Sequence, residues 1–88
     1  MKLFTINDFS PYFTLFPKLS KREIEVLSMS RSGLTRSEIA LELNISVSTV
    51  DNYFNNAMHK YELESSCALR AFFNFVIQDS FIKMIIYK

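Results

Sequence analysis

Apolar residues recur at helical spacing along most of the chain, which predicts a succession of amphipathic helices. The first is short: four aromatic residues follow an i, i+3, i+4, i+7 order between Phe9 and Phe16. Ser10 is expected as its N-cap and Pro11 as its first helical residue, and Pro17 ends it. The segment at residues 1–18 is therefore predicted to carry one aromatic face.

Two Ser/Thr-x-x-Glu sequences mark the starts of the next two helices. Ser20 with Glu23, and Thr35 with Glu38, have the spacing of capping boxes, in which each side chain bonds the other residue's backbone N–H. Gly33 suits the left-handed residue that follows a helix end. Two helices are predicted, and the second of them, RSEIALEL, is short.

A tight turn and a third helix come next. Asn44 tolerates positive φ and so suits the turn, and Ser46 can cap a helix from Val47 to about Tyr61. One side of this helix repeats apolar residues at three- and four-residue steps. The opposite side is polar and holds Ser48, Asp51, Asn52, Asn55 and His59.

A fourth helix is predicted from Ser65 or Ser66 to about Ile77, where the sequence QDS is expected to break it. The tail that follows, FIKMIIYK, is apolar and β-branched, so its pattern leaves strand and helix open. The apolar residues at both ends either enlarge the core or form an interface. The chain is accordingly divided into an N-terminal aromatic segment at 1–18, a helical domain at 19–77 and an apolar C-terminal extension at 78–88.

Composition narrows the choice of function. With 88 residues, 49% of them hydrophobic, the chain is long enough for one small folded domain. The lone Cys67 and the lone His59 exclude an intramolecular disulfide and a structural zinc site, and no cofactor is expected. The chain shows neither a signal peptide nor an apolar run long enough to span a bilayer, so a cytoplasmic protein is expected. No catalytic triad signature is present, and an enzyme is not expected.

The central sequence SEIALELNISVSTVDNYF has two short helices separated by a tight turn, which is the spacing of a helix-turn-helix. In such a unit the first helix braces across the DNA backbone and the second lies in the major groove. Around it stand LSKREIEVL, Gly33-Leu34-Thr35, EIA, LNIS, TV, and Asn56 with Lys60. As a set these residues, within positions 19–71, resemble the LuxR/GerE-type helix-turn-helix family.

The resemblance implies an all-α, four-helix domain, here with a short N-terminal helix and an apolar C-terminal extension. It also implies a bacterial regulator of transcription that binds double-stranded DNA as a dimer at paired half-sites. The implied DNA contacts are Arg36; Ser46, Ser48 and Thr49 near phosphates; Asp51, Asn52 and Asn55 facing bases; and Lys60 at a basic site. The fourth helix often forms the dimer contact in this family, which implies an interface of Leu69, Phe72, Phe73 and Val76.

The charged residues of this chain depart from the pattern that is usual in the family. Asp51 stands where Lys is usual, and Ser37, Leu41 and Glu42 stand where basic residues are usual. The net charge of the whole chain is only +1, so DNA affinity must come from the placement of charges. Each phosphate contact contributes about −0.9 to the slope of log affinity against log salt, so losing two or three such contacts would weaken binding strongly at cellular salt. Yet Asp can accept a hydrogen bond from cytosine N4 and Asn can bond N6 and N7 of adenine, so Asp51, Asn52 and Asn55 are also consistent with a reading set of altered specificity.

Three functions therefore stay open. The first is a sequence-specific DNA-binding regulator that acts as a homodimer or as a heterodimer with a related regulator. The second is a protein-interaction co-regulator or anti-activator with a degenerate helix-turn-helix. The third is a membrane-surface binder through the tail; it has only Lys83 and Lys88 for anionic lipid, so no membrane partner is expected.

Overall fold

Five α-helices follow one another in the computed structural model, which describes residues 3–87. They are α1 (Ser10–Leu15), α2 (Lys21–Arg31), α3 (Arg36–Leu43), α4 (Val47–Lys60) and α5 (Ser66–Ile86). No strand occurs within these residues, so the predicted all-α class is confirmed.

Side-chain oxygens fix where the central helices begin. The Ser20 hydroxyl accepts from the Glu23 N–H at 3.2 Å, and the Glu23 carboxylate accepts from the Ser20 N–H at 2.8 Å. Thr35 and Glu38 make the same reciprocal bonds at 3.2 Å and 2.8 Å. Both predicted capping boxes are confirmed, and they satisfy backbone donors that a helix N-terminus otherwise leaves without partners.

A left-handed residue turns the chain between α3 and α4. Asn44 has φ 57° and ψ 49°, as predicted for this position. The N–H of Ile45 then donates to the Ala40 carbonyl at 3.0 Å, and Ser46 caps α4 by accepting from the Thr49 N–H at 3.1 Å. These three residues set the angle between the two helices.

One hydrophobic core joins α2, α3, α4 and the first half of α5, and the N-terminal segment closes it. Phe16 is fully buried and stacks on Phe73 with ring centroids 4.7 Å apart. Partly buried side chains of the same segment, among them Phe9 and Phe13, pack against this core. Of the two alternatives for the N-terminal aromatics, the structure supports packing on the domain itself.

The expected cap of α1 is wrong by one residue. Phe9 holds the N-cap position and makes no side-chain capping bond, while Ser10 is already helical. The Ser10 N–H instead donates to the Asp8 carboxylate at 3.0 Å. Hydrogen bonds from the Ser10 backbone and hydroxyl hold the pKa of Asp8 below its usual value.

The expected break at QDS is also wrong, because α5 runs without interruption from Ser66 to Ile86. Ser and Asp lower helix propensity only slightly, and neither Gly nor Pro occurs in this helix. In addition, Lys83 pairs with Asp79 one turn earlier at 2.9 Å. The division expected after Ile77 therefore lies in the middle of a helix.

Candidate nucleic-acid interface

Helix α4 is fixed from behind by buried side chains. Val50, Phe54 and Ala57 have at most 2% of their surface exposed and pack into the core against α2 and α3. The helix that faces α4 here is α3, and its Ala40 is a small side chain that is 5% exposed. Because its apolar side is anchored in this way, α4 presents its opposite side to solvent in one orientation.

That opposite side carries a straight polar stripe. Ser48, Asn52, Asn55 and His59 repeat at four-, three- and four-residue steps and are all exposed. The structure thus brings together three of the residues expected to contact DNA. It adds His59, which the sequence suggested only as a surface residue. The signal for His59 is its position one helical turn after Asn55.

Three hydroxyls cluster at the N-terminus of α4. The Ser46 Oγ lies 3.0 Å from the Ser48 Oγ and 2.8 Å from the Thr49 Oγ1, and it also accepts from the Thr49 N–H. The N-terminus of a helix carries partial positive charge and backbone donors that suit phosphate. The residues expected near phosphates therefore lie together at the end of α4 that favours an anion.

Asp51 has a partner within the helix-turn-helix. Arg36 Nη1, at the start of α3, lies 3.0 Å from Asp51 Oδ1, although the contact lacks the alignment of a hydrogen bond. The guanidinium carbon also lies 4.9 Å from the centroid of the Phe54 ring, within cation–π range. The aspartate that replaces the family's lysine is thus neutralised by a neighbouring arginine. Two residues expected to contact DNA separately form an ion pair.

Lys60 is held in a second ion pair. Its Nζ lies 2.7 Å from Glu23 Oε1, and Glu23 is only 3% exposed. The same carboxylate oxygen accepts from the Ser20 N–H, so Lys60 joins the end of α4 to the start of α2. The structure gives this expected DNA contact a partner inside the fold.

Other cations make weaker contacts. Within residues 3–87, no acidic side chain forms a salt bridge with Lys18, Lys21, Arg31 or Arg70. Lys18 Nζ lies 3.4 Å from the Lys60 carbonyl oxygen and 5.3 Å from the centre of the Tyr61 ring. Burial raises the pKa of the Tyr61 hydroxyl above its usual value. Arg36 and Lys60, the Arg and Lys residues of α3 and α4, are already paired with carboxylates, so they contribute little net positive charge to this surface.

The expected dimer interface needs a correction. Leu69 and Phe73 are each 1% exposed and fill the core, while Phe72 and Val76 are half-buried against it. Phe72 packs on the rings of Phe16 and Tyr61. Apolar periodicity is the same for a helix face that meets its own core and for one that meets a partner, so the sequence pattern could not separate the two cases.

Two other kinds of site lack support in the described residues. No group of three or more His, Cys, Asp or Glu side chains among residues 3–87 converges in a way that could hold a metal ion. Over the same range, no helix combines the length and the apolar character needed to cross a membrane.

A helix fixed by its apolar side behind a three-residue turn, with polar side chains on its free side, defines a helix-turn-helix domain. A family model described as "Bacterial regulatory proteins, luxR family" matches residues 17–73. The chain therefore belongs to the LuxR family of bacterial regulatory proteins, and the resemblance inferred from the sequence is confirmed.

Two characterised relatives align with part of the chain. The spore germination protein GerE of Bacillus subtilis (strain 168) is 50% identical over 44 residues, which cover 50% of this chain and 60% of that protein. The transcriptional activator protein RaiR of Rhizobium etli is 43% identical over 44 residues, covering 50% of this chain and 18% of RaiR. The aligned part of this chain thus spans less than two thirds of either relative. No solved structure matches the chain.

Proposed function

We propose that this chain is a sequence-specific DNA-binding regulator of transcription, not an enzyme, that inserts α4 into the major groove. The observation that carries the proposal is the exposed stripe of Ser48, Asn52, Asn55 and His59 on a helix locked in the core from behind. An asparagine amide offers a donor and an acceptor in one plane, which matches N7 and N6 of adenine. The proposed setting is the bacterial cytoplasm.

The Arg36–Asp51 pair supports reading with little non-specific attraction. Non-specific binding to DNA depends on free positive side chains that neutralise phosphates. Because Asp51 neutralises Arg36, Arg36 contributes little to such binding. Both side chains are about two-fifths exposed, so the pair can open when DNA arrives. Arg36 would then turn to a phosphate, and Asp51 would accept a hydrogen bond from cytosine N4.

The chain is proposed to act as a dimer. A single helix-turn-helix reads few base pairs, and two copies related by two-fold symmetry read two half-sites about one helical turn apart. The spacing of the half-sites is therefore a measurable consequence of the dimer. A heterodimer with a related regulator would read an asymmetric site instead.

The test is selection of bound sequences from a random duplex library at two salt concentrations. An enriched motif with two-fold symmetry that persists at the higher salt is the expected result. An Asn52→Ala, Asn55→Ala double variant should lose the enrichment. An Asn74→Ala variant, which changes an exposed asparagine of α5, should keep it. Absence of any motif in the wild type, with binding that disappears as salt rises, would contradict the proposal.

One set of observations supports the alternative function, that of a protein-interaction co-regulator. Arg36 and Lys60 are both tied to carboxylates, and Leu41, where the family usually has a basic residue, is 82% exposed. A surface that has lost basic groups and gained an apolar one suits a protein partner. If Asp51→Lys raises affinity for all duplexes and leaves the regulatory output unchanged, α4 does not read DNA and the co-regulator function is the better one.

A further inference from the structure

A cavity of about 410 Å³ lies between α1, the end of α2 and the middle of α5. Its apolar walls are Pro11, Tyr12 and Leu15 of α1 and Ile77 of α5. Tyr12, Leu15 and Ile77 are partly buried and pack against the core, so the fold holds these walls in place. Small-molecule sites in proteins have volumes of roughly 300–1,000 Å³ and mostly apolar walls with a few polar groups. The cavity therefore has the size and lining of a site for a small ligand.

The polar side of the cavity belongs to the end of α2. Ser28 lines it, and within residues 3–87 the Ser28 hydroxyl oxygen is buried without a hydrogen-bond partner. The neighbouring Ser32 hydroxyl donates to the Ser28 carbonyl oxygen at 2.9 Å, so it leaves the Ser28 hydroxyl free. Buried polar groups in proteins nearly always have a partner. A hydrogen-bonding group inside the cavity would supply the partner that the described residues do not.

Arg31 brings a positive charge to the same cavity. It follows Ser28 by three residues, so the two side chains are neighbours on the surface of α2. Within residues 3–87, no acidic side chain forms a salt bridge with Arg31. Asp79, the acidic residue of α5 that follows Ile77, is paired with Lys83 at 2.9 Å. The guanidinium is therefore free to bind an anion, and the Ser28 hydroxyl can donate to the same anion.

The charges near the cavity favour an anion over a cation. A second cavity of about 280 Å³ adjoins the first at Ser28 and Ser32, and Glu25 lies on its wall. Glu25 Oε1 lies 3.6 Å from Arg22 Nη1, so a ligand cation would compete with an arginine for this carboxylate. An anion is repelled by Glu25 in the second cavity and attracted by Arg31 in the first. The charged end of the ligand is therefore expected in the larger cavity.

One guanidinium and one hydroxyl limit the kind of anion. A carboxylate carries a single negative charge and two oxygens, which these donors can satisfy. A phosphate monoester carries a charge of about −1.5 to −2 and three acceptor oxygens, so it would leave acceptors without partners here. The apolar walls suit an alkyl or aryl group, which they would remove from water. The best match is a monocarboxylate with an apolar body.

We propose that the cavity between α1, α2 and α5 binds a monocarboxylic acid of about ten non-hydrogen atoms, with its carboxylate on Arg31 and Ser28. The inference goes beyond the proposed function, because the cavity shares no residue with the surface proposed to contact DNA. Its four apolar wall residues also lie outside residues 17–73, the part of the chain that matches the family model. The match to the family therefore does not account for the cavity.

Titration of the full chain with octanoate at pH 7, followed by amide NMR, tests the site. Octylamine is the matched probe, because it has an alkyl chain of the same length and the opposite charge. Octanoate should shift the amide signals of Leu15, Ser28, Arg31 and Ile77 with a Kd on the order of 0.1–1 mM. Octylamine should bind at least about tenfold more weakly, since it lacks the pairing with a guanidinium.

Two results of the titration would overturn the proposal. The first is a set of shifts confined to residues 81–87, whose exposed apolar side chains could take up any amphiphile. The second is equal or tighter binding of octylamine, which would show that the carboxylate is not recognised. The absence of shifts up to about 10 mM octanoate would have the same consequence, because a ligand of this size that fits its site binds more tightly.

Three variants separate recognition by α2 from general attraction to positive charge. Arg31→Met keeps an apolar stem and removes the charge, so the Kd for octanoate should rise about tenfold. Ser28→Ala removes the unpaired hydroxyl and should raise the Kd about threefold to fivefold. Arg70→Met is the matched control, because Arg70 is an exposed arginine that does not line the cavity. It should bind octanoate as the wild type does.

Circular dichroism establishes that each variant is folded, and Arg31→Gln replaces Arg31→Met if that variant unfolds. An unchanged Kd in the folded Arg31 variant would overturn the proposal. So would equal losses in the Arg31 and Arg70 variants, which would show that octanoate responds to the net charge of the chain and not to this cavity.

Discussion

The two ion pairs of α4 lie in different surroundings, although both involve residues that the sequence assigned to DNA. The Glu23 carboxylate that receives Lys60 is 3% exposed and also accepts from the Ser20 N–H. Arg36 and Asp51 are both partly exposed, and their contact lacks hydrogen-bond alignment. Water cannot replace Lys60 at the buried Glu23 carboxylate, although Lys60 itself is partly exposed, whereas water can replace either partner of the exposed Arg36–Asp51 pair. The Lys60–Glu23 pair therefore holds α4 in place, whereas the Arg36–Asp51 pair changes the net charge on the exposed surface of the helix-turn-helix.

The largest effect should follow from breaking the buried pair. Lys60→Met leaves the Glu23 carboxylate buried with the Ser20 N–H as its remaining partner. We expect a loss of roughly 2–3 kcal/mol in the free energy of unfolding, less than for a fully buried pair because the lysine is partly exposed. Urea unfolding followed by circular dichroism measures it.

A double-mutant cycle provides the control for that loss. Glu23→Gln combined with Lys60→Met removes both charges, so the double variant should be more stable than the sum of the two single losses predicts. Strictly additive losses would show that the two side chains do not depend on each other, and the contrast between the buried and the exposed pair would then disappear.

Opening the exposed pair should change DNA binding much more than stability. Asp51→Ala should alter the free energy of unfolding by less than about 0.5 kcal/mol, as is usual for exposed pairs. Arg36 is then available to a phosphate, so affinity for arbitrary duplexes should rise and the slope of log affinity against log salt should steepen by about 0.9. Fluorescence anisotropy across a salt series measures both quantities.

The same variant also tests base reading. If Asp51 accepts from cytosine, Asp51→Ala should relax preference at one base pair by about 1–3 kcal/mol and leave the others unchanged. Arg36→Ala serves as the matched control, because it opens the same pair and leaves the carboxylate in place. Equal relaxation in both variants would show that the pair acts as a unit rather than through the carboxylate.

The features that the sequence predicted correctly are local. Ser20 and Thr35 each bond a glutamate three residues later, and Asn44 adopts the left-handed backbone that its side chain tolerates. Such features depend on a few neighbouring residues, so a short window of sequence contains what is needed to recognise them. The polar side of α4 was predictable for the same reason, because it follows from helical periodicity alone.

The features that could not be predicted depend on how distant segments meet. Arg36 reaches Asp51 only because α3 and α4 cross at the angle set by their turn, and Lys60 reaches Glu23 only across the core. Likewise, the periodicity of α5 shows that Leu69 belongs to an apolar face but not whether that face meets its own domain or another copy. The expected break at QDS failed because Asp and Ser lower helix propensity only slightly, and the neighbouring Asp79–Lys83 ion pair supports the helix at this point.

The smallest expected effect concerns the cap of α3 and completes the contrast between buried and exposed charges. Glu38 is exposed, and hydrogen bonds from the Thr35 backbone and hydroxyl lower its pKa below the usual value of 4.5. A carboxyl group whose pKa is lower in the folded state contributes stability above pH 4.5, and this contribution is lost as pH falls through the folded pKa. Glu38→Gln keeps an acceptor for the Thr35 N–H but does not titrate, so the wild type should lose slightly more stability than this variant between pH 6 and pH 3. Urea midpoints measured at both pH values provide the comparison, and an identical pH dependence in the two proteins would show that this exposed cap adds nothing through its charge.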